Sequence, residues 1–139
     1  MASSDSGHGI VLDGSPDIGG KNLGMRPMEL VLAGLGGCTA MDVISILRKQ
    51  RQNVEDCTID VAAQRADSIP KVFTNITLTY RITGRDLNVQ GIKRAVDLSS
   101  KTYCSVSQML GATVQFKYRI EVTDRNREEP ITILELFDD

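Results

Sequence analysis

Between Leu30 and Leu47 the chain reads LVLAGLGGCTAMDVISIL, apolar or small nearly all the way round a helix. A helix without a polar face belongs at the centre of a fold, so this segment is expected to be a long buried central helix. Pro27 suits its start, because the N–H that proline lacks would have no partner there. Glu29 places negative charge at the positive end of the helix dipole, and Arg48, Lys49 and Arg51 place positive charge at the other. The expected span is Pro27 to about Gln52. Ala33, Gly34, Gly36, Gly37 and Ala40 are more small residues than helix propensity favours, since glycine costs about 1 kcal/mol against alanine in a helix interior. Close approach of another backbone, or of a ligand beside Cys38, is the expected offset. The apolar run Leu30–Ala40 is too short and too rich in glycine to cross a bilayer, which takes about 20 residues.

The rest of the chain alternates in a strand-like way. HGIVLD, residues 8–13, is a short strand candidate, and Gly14 to Arg26 is a loop dense in Gly, Pro, Asp and Asn. From Cys57 to Arg65, Cys57, Ile59, Val61 and Ala63 share one face. From Val72 to Thr83, Ile76, Leu78, Tyr80 and Ile82 do the same, which predicts an antiparallel hairpin with a turn around Pro70. Val89, Ile92, Val96 and Ser99 mark one face of a helix. A second short helix follows over Tyr103–Leu110, ended by Gly111 as its C′ residue. Val114, Phe116, Tyr118, Ile120 and Val122 point inward on another strand. After a charged break, ITILELF over 131–137 is either a last strand or an extension docking on a partner. The order β, long α, ββ, αα, β and tail defines an α+β fold, expected as one domain over 1–139 with 124–139 as a C-terminal extension.

Composition removes several classes of function. The net charge is −2 and aromatics are 4% with no Trp, so neither the basic footprint nor the stacking platform of a nucleic-acid binder is expected. The N-terminus, residues 1–9, carries no apolar core of a signal peptide, and a cytoplasmic protein is expected. With three cysteines, one histidine and no C-x-x-C, neither a disulfide framework nor a structural zinc site is expected. No cofactor is expected.

That leaves thiol chemistry or thiol packing, since free cysteine is among the most buried residue types. Cys38 sits mid-helix among glycines. Cys104 opens a short helix, where unpaired N–H groups favour the nucleophilic thiolate. Cys57 starts a strand on its apolar face and reads as core. A thiolate that attacks a peroxide becomes a sulfenic acid, which a second thiol converts to a disulfide. Such a site needs a cation and an acid to hold that cation. Arg26, Arg65 and Arg81 are candidate cations, with Arg65 favoured, and Glu29 is the candidate acid, although it could simply serve the helix dipole. Leu35, Met41 and Met109 are expected to line an apolar pocket. His8 reads as surface, and Asp42, one turn after Cys38, has no role assigned from sequence.

RPMELVLAGLGGC, ending at Cys38, resembles the Pro-x-Glu-Leu-x7-Cys helix of the OsmC/Ohr family. AVDLSSKTYCSVSQML resembles its second motif, with Cys-x-x-Ser at Cys104–Ser107. GHGIVLDGS and RADSIPKVFTNITLTYRITGRDL resemble the YhfA-like branch, and the likeness covers about residues 7 to 122. It implies antiparallel sheets around the central helix and an intertwined homodimer. It implies a peroxidatic Cys38, a resolving Cys104, a small organic hydroperoxide or hydrogen peroxide as substrate, and a dithiol or lipoyl reductant. The alternatives are a non-catalytic dimer that binds a hydrophobic small molecule, and a thiol redox sensor.

Three departures stand out. The family's acidic position falls on Met28, one place before Glu29, and no residue matches its catalytic arginine. The leading strand looks shortened, and the tail from Thr123 is longer than the family pattern. ITILELF is expected to fill the sheet edge that the leading strand leaves.

Overall fold

The computed structural model describes residues 1–128, together with the backbone of 131–137 and the side chain of Leu134. The chain divides into two compact units, Met1–Gly34 and Leu35–Asp139.

In the first unit, β1 (Ala2–Ser3) pairs antiparallel with β2 (Gly9–Ile10), so the strand expected over 8–13 shrinks to two residues. Asp13 organises the loop that follows. Its carboxylate accepts the backbone N–H groups of Gly14 at 2.8 Å and of Lys21 and Leu23 at 3.0 Å. Gly20 is required there, because a Cβ would lie 2.0 Å from the Gly14 carbonyl oxygen. The central helix α1 (Pro27–Lys49) begins in this unit, and the Arg26 backbone N–H donates to Glu29 Oε1 at 3.0 Å. This is the Glu half of a capping box, and it satisfies the Arg26 donor at the helix start.

In the second unit, α1 continues to Lys49 and stops short of Gln52, because Arg51 turns into the left-handed region at φ 58°. Leu35, Thr39, Val43 and Leu47 form its buried stripe, one helical turn apart. The expectation of burial all round is corrected here: Met41 is 75% exposed, and Gly37 and Ile44 are exposed as well. The glycines divide in the same way. Gly36 packs close enough that a Cβ would meet Val61 Cγ2 at 3.2 Å, whereas a Cβ on Gly34 or Gly37 would meet nothing within 4 Å. At 23 residues the whole helix has the length and composition to cross a bilayer, which the Leu30–Ala40 run alone lacks. Its buried stripe, hydrogen-bonded at Thr39, is instead that of a core helix.

The sheet has the order β3-β4-β5-β6, with β3 (Asn53–Arg65), β4 (Phe73–Arg85), β5 (Gln115–Asp124) and β6 (Ile131–Phe137). β3 and β4 form the expected antiparallel hairpin, and β6 lies antiparallel on the outer edge of β5. ITILELF is therefore an edge strand. β4 and β5 run parallel, so the sheet is mixed rather than antiparallel throughout. The physical reason is the helical crossover between them, which returns the chain to the end where β4 began. Ile76, Leu78, Tyr80 and Ile82 from β4, with Phe116, Tyr118, Ile120 and Val122 from β5, make one buried face.

The crossover is α2 (Val89–Leu98), a π-helical turn over Ser99–Tyr103, and α3 (Ser105–Leu110). Asn88 caps α2 by accepting the Gly91 N–H at 3.0 Å, and Ile92, Ala95 and Val96 are its buried face. Gly111 ends α3 as expected, in the right-handed region at φ −62°.

Asp124, 2% exposed at the end of β5, accepts the N–H groups of Asp86, Leu87 and Asn126, and Arg127 Nε lies 3.2 Å away. Burial pushes its carboxyl upward, but these donors and the guanidinium outweigh burial and hold it below the usual carboxylate range. A carboxyl lowered in the folded state adds stability above its unfolded pKa and loses it as pH falls through the folded value. Asp124→Asn is therefore expected to be less stable than the parent at neutral pH, by a margin that shrinks on acidification. Urea midpoints across the acid range check this, and a margin independent of pH would refute it. Ile120 is wholly buried. Ile120→Ala is expected to cost about 2–5 kcal/mol, the range for emptying a core site, while Met109→Ala, at a position 78% exposed, should move the urea midpoint little.

Candidate functional site

Cys38, Asp42 and Cys104 each bring a ligand-type atom, two sulfurs and a carboxylate oxygen, to within 4.8 Å of one another. Cys38 and Asp42 share a face of α1 because they are four residues apart. Cys104 comes from the π-helical turn after α2. The wider i→i+5 winding of that turn shows in its closing bond, from the Cys104 N–H to the Ser99 carbonyl at 2.8 Å. Cys104 itself is extended at φ −74°, ψ 105° and sits as the N-cap of α3, with the Ser107 N–H 3.5 Å from its sulfur.

Three buried hydroxyls stand behind the carboxylate. Tyr80 OH and Thr39 Oγ1 lie 2.7 Å apart, Thr39 Oγ1 and Ser99 Oγ lie 2.8 Å apart, and Ser99 Oγ donates to Asp42 Oδ2 at 3.1 Å. All three hydroxyl residues are wholly buried. Each hydroxyl has one proton and a carboxylate only accepts. Ser99 gives its proton to Asp42, so Thr39 must donate to Ser99 and Tyr80 to Thr39. Every proton in the chain points toward Asp42. Burial pushes the Tyr80 hydroxyl well above the ordinary tyrosine value, and its bond to Thr39 offsets only part of that, so it stays a donor.

The three thiols differ. Cys104 is wholly buried, and burial pushes its thiol up, as does neighbouring Cys38, while Ser107 pulls it back in part. The net direction is upward, so the thiolate expected from a helix start does not result, because desolvation outweighs a single amide. Cys57 is pushed up to about 11, first by burial and then by the Asp56 charge, and remains an inert thiol at neutral pH. Cys38 is half-buried on α1.

The candidate activators are engaged elsewhere. Glu29 caps α1 through the Arg26 N–H, and Arg26 itself donates from Nη1 to Asn22 Oδ1 at 2.9 Å. Arg65 ends β3 with Nε on the Lys71 carbonyl at 2.8 Å and its guanidinium over the Phe73 ring at 6.0 Å. Arg81 lies on the sheet surface, paired with Asp60 and with Glu121 at 2.9 Å. His8 is exposed beside Ser6. Leu35 is core, while Met41 and Met109 are exposed in the single chain. Among the described residues, two thiols and one carboxylate offer three ligands, one fewer than a closed tetrahedral zinc centre takes.

Sequence reasoning missed Asp42 and its hydroxyl chain. The available signal was a carboxylate one turn after a cysteine in an otherwise apolar helix. Nothing in sequence linked it to Ser99 or Tyr80.

Residues 19–119 match the family model described as OsmC-like protein. The chain belongs to the OsmC-like family, which includes organic hydroperoxide resistance proteins. Among its relatives, Protein YhfA of Escherichia coli is 45% identical over 122 residues, 88% of each chain. A hypothetical protein from Aquifex aeolicus is 29% identical in its crystal structure, with a TM-score of 0.70 over 85% of this chain and 83% of that one. The organic hydroperoxide resistance protein OsmC of Legionella pneumophila has the same fold, with 21% identity and a TM-score of 0.63 over 80% of each chain.

The burial of Cys104 and the upward shift of Cys57 and Cys104 set an order of alkylation. With iodoacetamide at neutral pH, Cys38 is expected to be modified first in the folded protein, ahead of Cys57 and Cys104. Peptide mass spectrometry over time reads this order, and early labelling of Cys57 would contradict it.

Proposed function

We propose that this chain is a cysteine-based peroxidase, with Cys38 as the attacking thiol and Cys104 as the resolving one. The observation that carries the reading is the approach of the two sulfurs to within 4.8 Å from distant parts of the sequence. Disulfide formation requires them to close to the bonding distance of about 2.05 Å. The family's organic hydroperoxide resistance proteins support peroxide as the substrate class.

The chemistry balances in two steps. Cys38 sulfur attacks the terminal oxygen of a hydroperoxide, the O–O bond breaks, and sulfenic acid and an alcohol form, with the thiol proton ending on the alcohol. Cys104 sulfur then displaces water from the sulfenic acid, forming the disulfide. A dithiol or lipoyl reductant returns both thiols. The burial that keeps Cys104 protonated suits a resolving thiol, since it leaves the first attack to Cys38. Glu29 and Arg65 have structural uses in this chain, and the reading does not depend on them. The exposed apolar side chains on α1, Met41 and Ile44, support a homodimer in which a second copy covers this face.

The test is peroxide treatment followed by mass spectrometry. The parent is expected to form a Cys38–Cys104 disulfide rapidly. Cys104→Ser should accumulate sulfenic acid on Cys38, and Cys38→Ser should form neither product. Slow, unselective oxidation of all three cysteines would refute the reading.

A further inference from the structure

We infer that Asp42 is the proton carrier of the thiol pair, taking the Cys38 thiol proton and delivering it to the oxygen that leaves the peroxide. This inference rests on the peroxidase reading of the same site.

Three observations carry it. The carboxylate lies within 4.8 Å of both sulfurs, a span that the substrate's own oxygen can bridge. Its one hydrogen bond among the described residues is from Ser99 to Oδ2, so the carboxylate keeps acceptor capacity for a proton. The hydroxyl chain behind it is buried throughout and points one way, so the carboxylate is presented to the sulfurs with its orientation already set. A hydrogen bond donated along such a chain is strengthened by the bonds behind it. Asp42 lies in an apolar helix that gives a charged side chain no packing benefit, and Ser99, itself buried, spends its only proton on it. The arginines the sequence offered as activators are bound to other partners.

The balance is closed. Cys38 S–H loses its proton to the Asp42 carboxylate as sulfur attacks. The O–O bond breaks, sulfur is oxidised by two electrons, and the alkoxide takes the proton from the Asp42 carboxyl. Cys38 sulfenic acid, an alcohol and the Asp42 carboxylate remain, ready for the attack by Cys104.

The test uses the full chain in a Cys104→Ser background, with tert-butyl hydroperoxide and a sulfenic-acid trap read by mass spectrometry. Asp42→Asn is expected to slow trapping at Cys38 by about 10²-fold, the lower end of general acid–base effects. Asp42→Glu should retain most of the rate. Asp42→Ala should be slow and should recover with added formate, which can carry a proton but cannot restore lost packing. An Asp42→Asn variant as fast as its parent would overturn the inference. So would variants that are slow alike, with no benefit from Glu or from formate. Should the Asn variant fail to fold by circular dichroism, Ser99→Ala keeps the carboxylate but frees it. That variant is expected to slow trapping about tenfold, and an unchanged rate would overturn the inference. A parent that forms no sulfenic acid would overturn the peroxidase reading and this inference with it. A reactive parent with an indifferent Asp42 would overturn the inference alone.

Discussion

The hydroxyl of Thr39 holds the second unit's architecture to its site. It joins α1 to Tyr80 in the middle of β4 and to Ser99 at the end of α2, three elements distant in sequence. A buried hydroxyl without a partner costs about 1–3 kcal/mol. Any rotation of the helix about its axis would strand three of them. The rotation that satisfies them sets the neighbouring residues too: Cys38 lies beside Thr39 in the chain and Asp42 lies on the same helical face. The position of Cys38 is thus a consequence of a polar bond in the core.

The π-helical turn does complementary work on the other side. A regular continuation of α2 would carry Cys104 round on a tighter winding. The wider turn lets Ser99 keep its hydroxyl on the network while Cys104 leaves the helix in an extended conformation at the start of α3. Burial then decides the character of each thiol. Cys104 is enclosed and kept protonated, Cys57 is set aside by burial and a neighbouring carboxylate, and Cys38 retains access. Burial thus separates Cys57 and Cys104, both pushed toward the protonated thiol, from the more accessible Cys38.

Much of the scaffold was legible in the sequence. The alternation of Ile76, Leu78, Tyr80 and Ile82, and of Phe116, Tyr118, Ile120 and Val122, specified two buried strand faces, because a pleated strand turns every second side chain to the same side. Pro27 and Glu29 marked the start of α1. The parallel pairing of β4 with β5 was less visible, since alternation says which face is inward but not which neighbour pairs or in which direction. The apolar helix was read as buried all round, whereas within this chain one stripe alone is covered. Hydrophobicity counts surface that must be covered and does not say whether the same chain covers it. Arg65 and Glu29 fitted the chemistry by type, and sequence did not show that Arg65 bonds the Lys71 carbonyl and Glu29 the Arg26 N–H.

The sequence by itself determined the α+β class, the strand faces, the central helix and the two cysteines worth attention, because these follow from periodicities of two and 3.6 residues and from short motifs. Tertiary structure alone decided that Cys38 and Cys104 meet, that Asp42 joins them, and that Ser99, Thr39 and Tyr80 aim their protons at it. Those relations depend on distances between elements far apart in the chain, and on which polar groups burial forces to find one another.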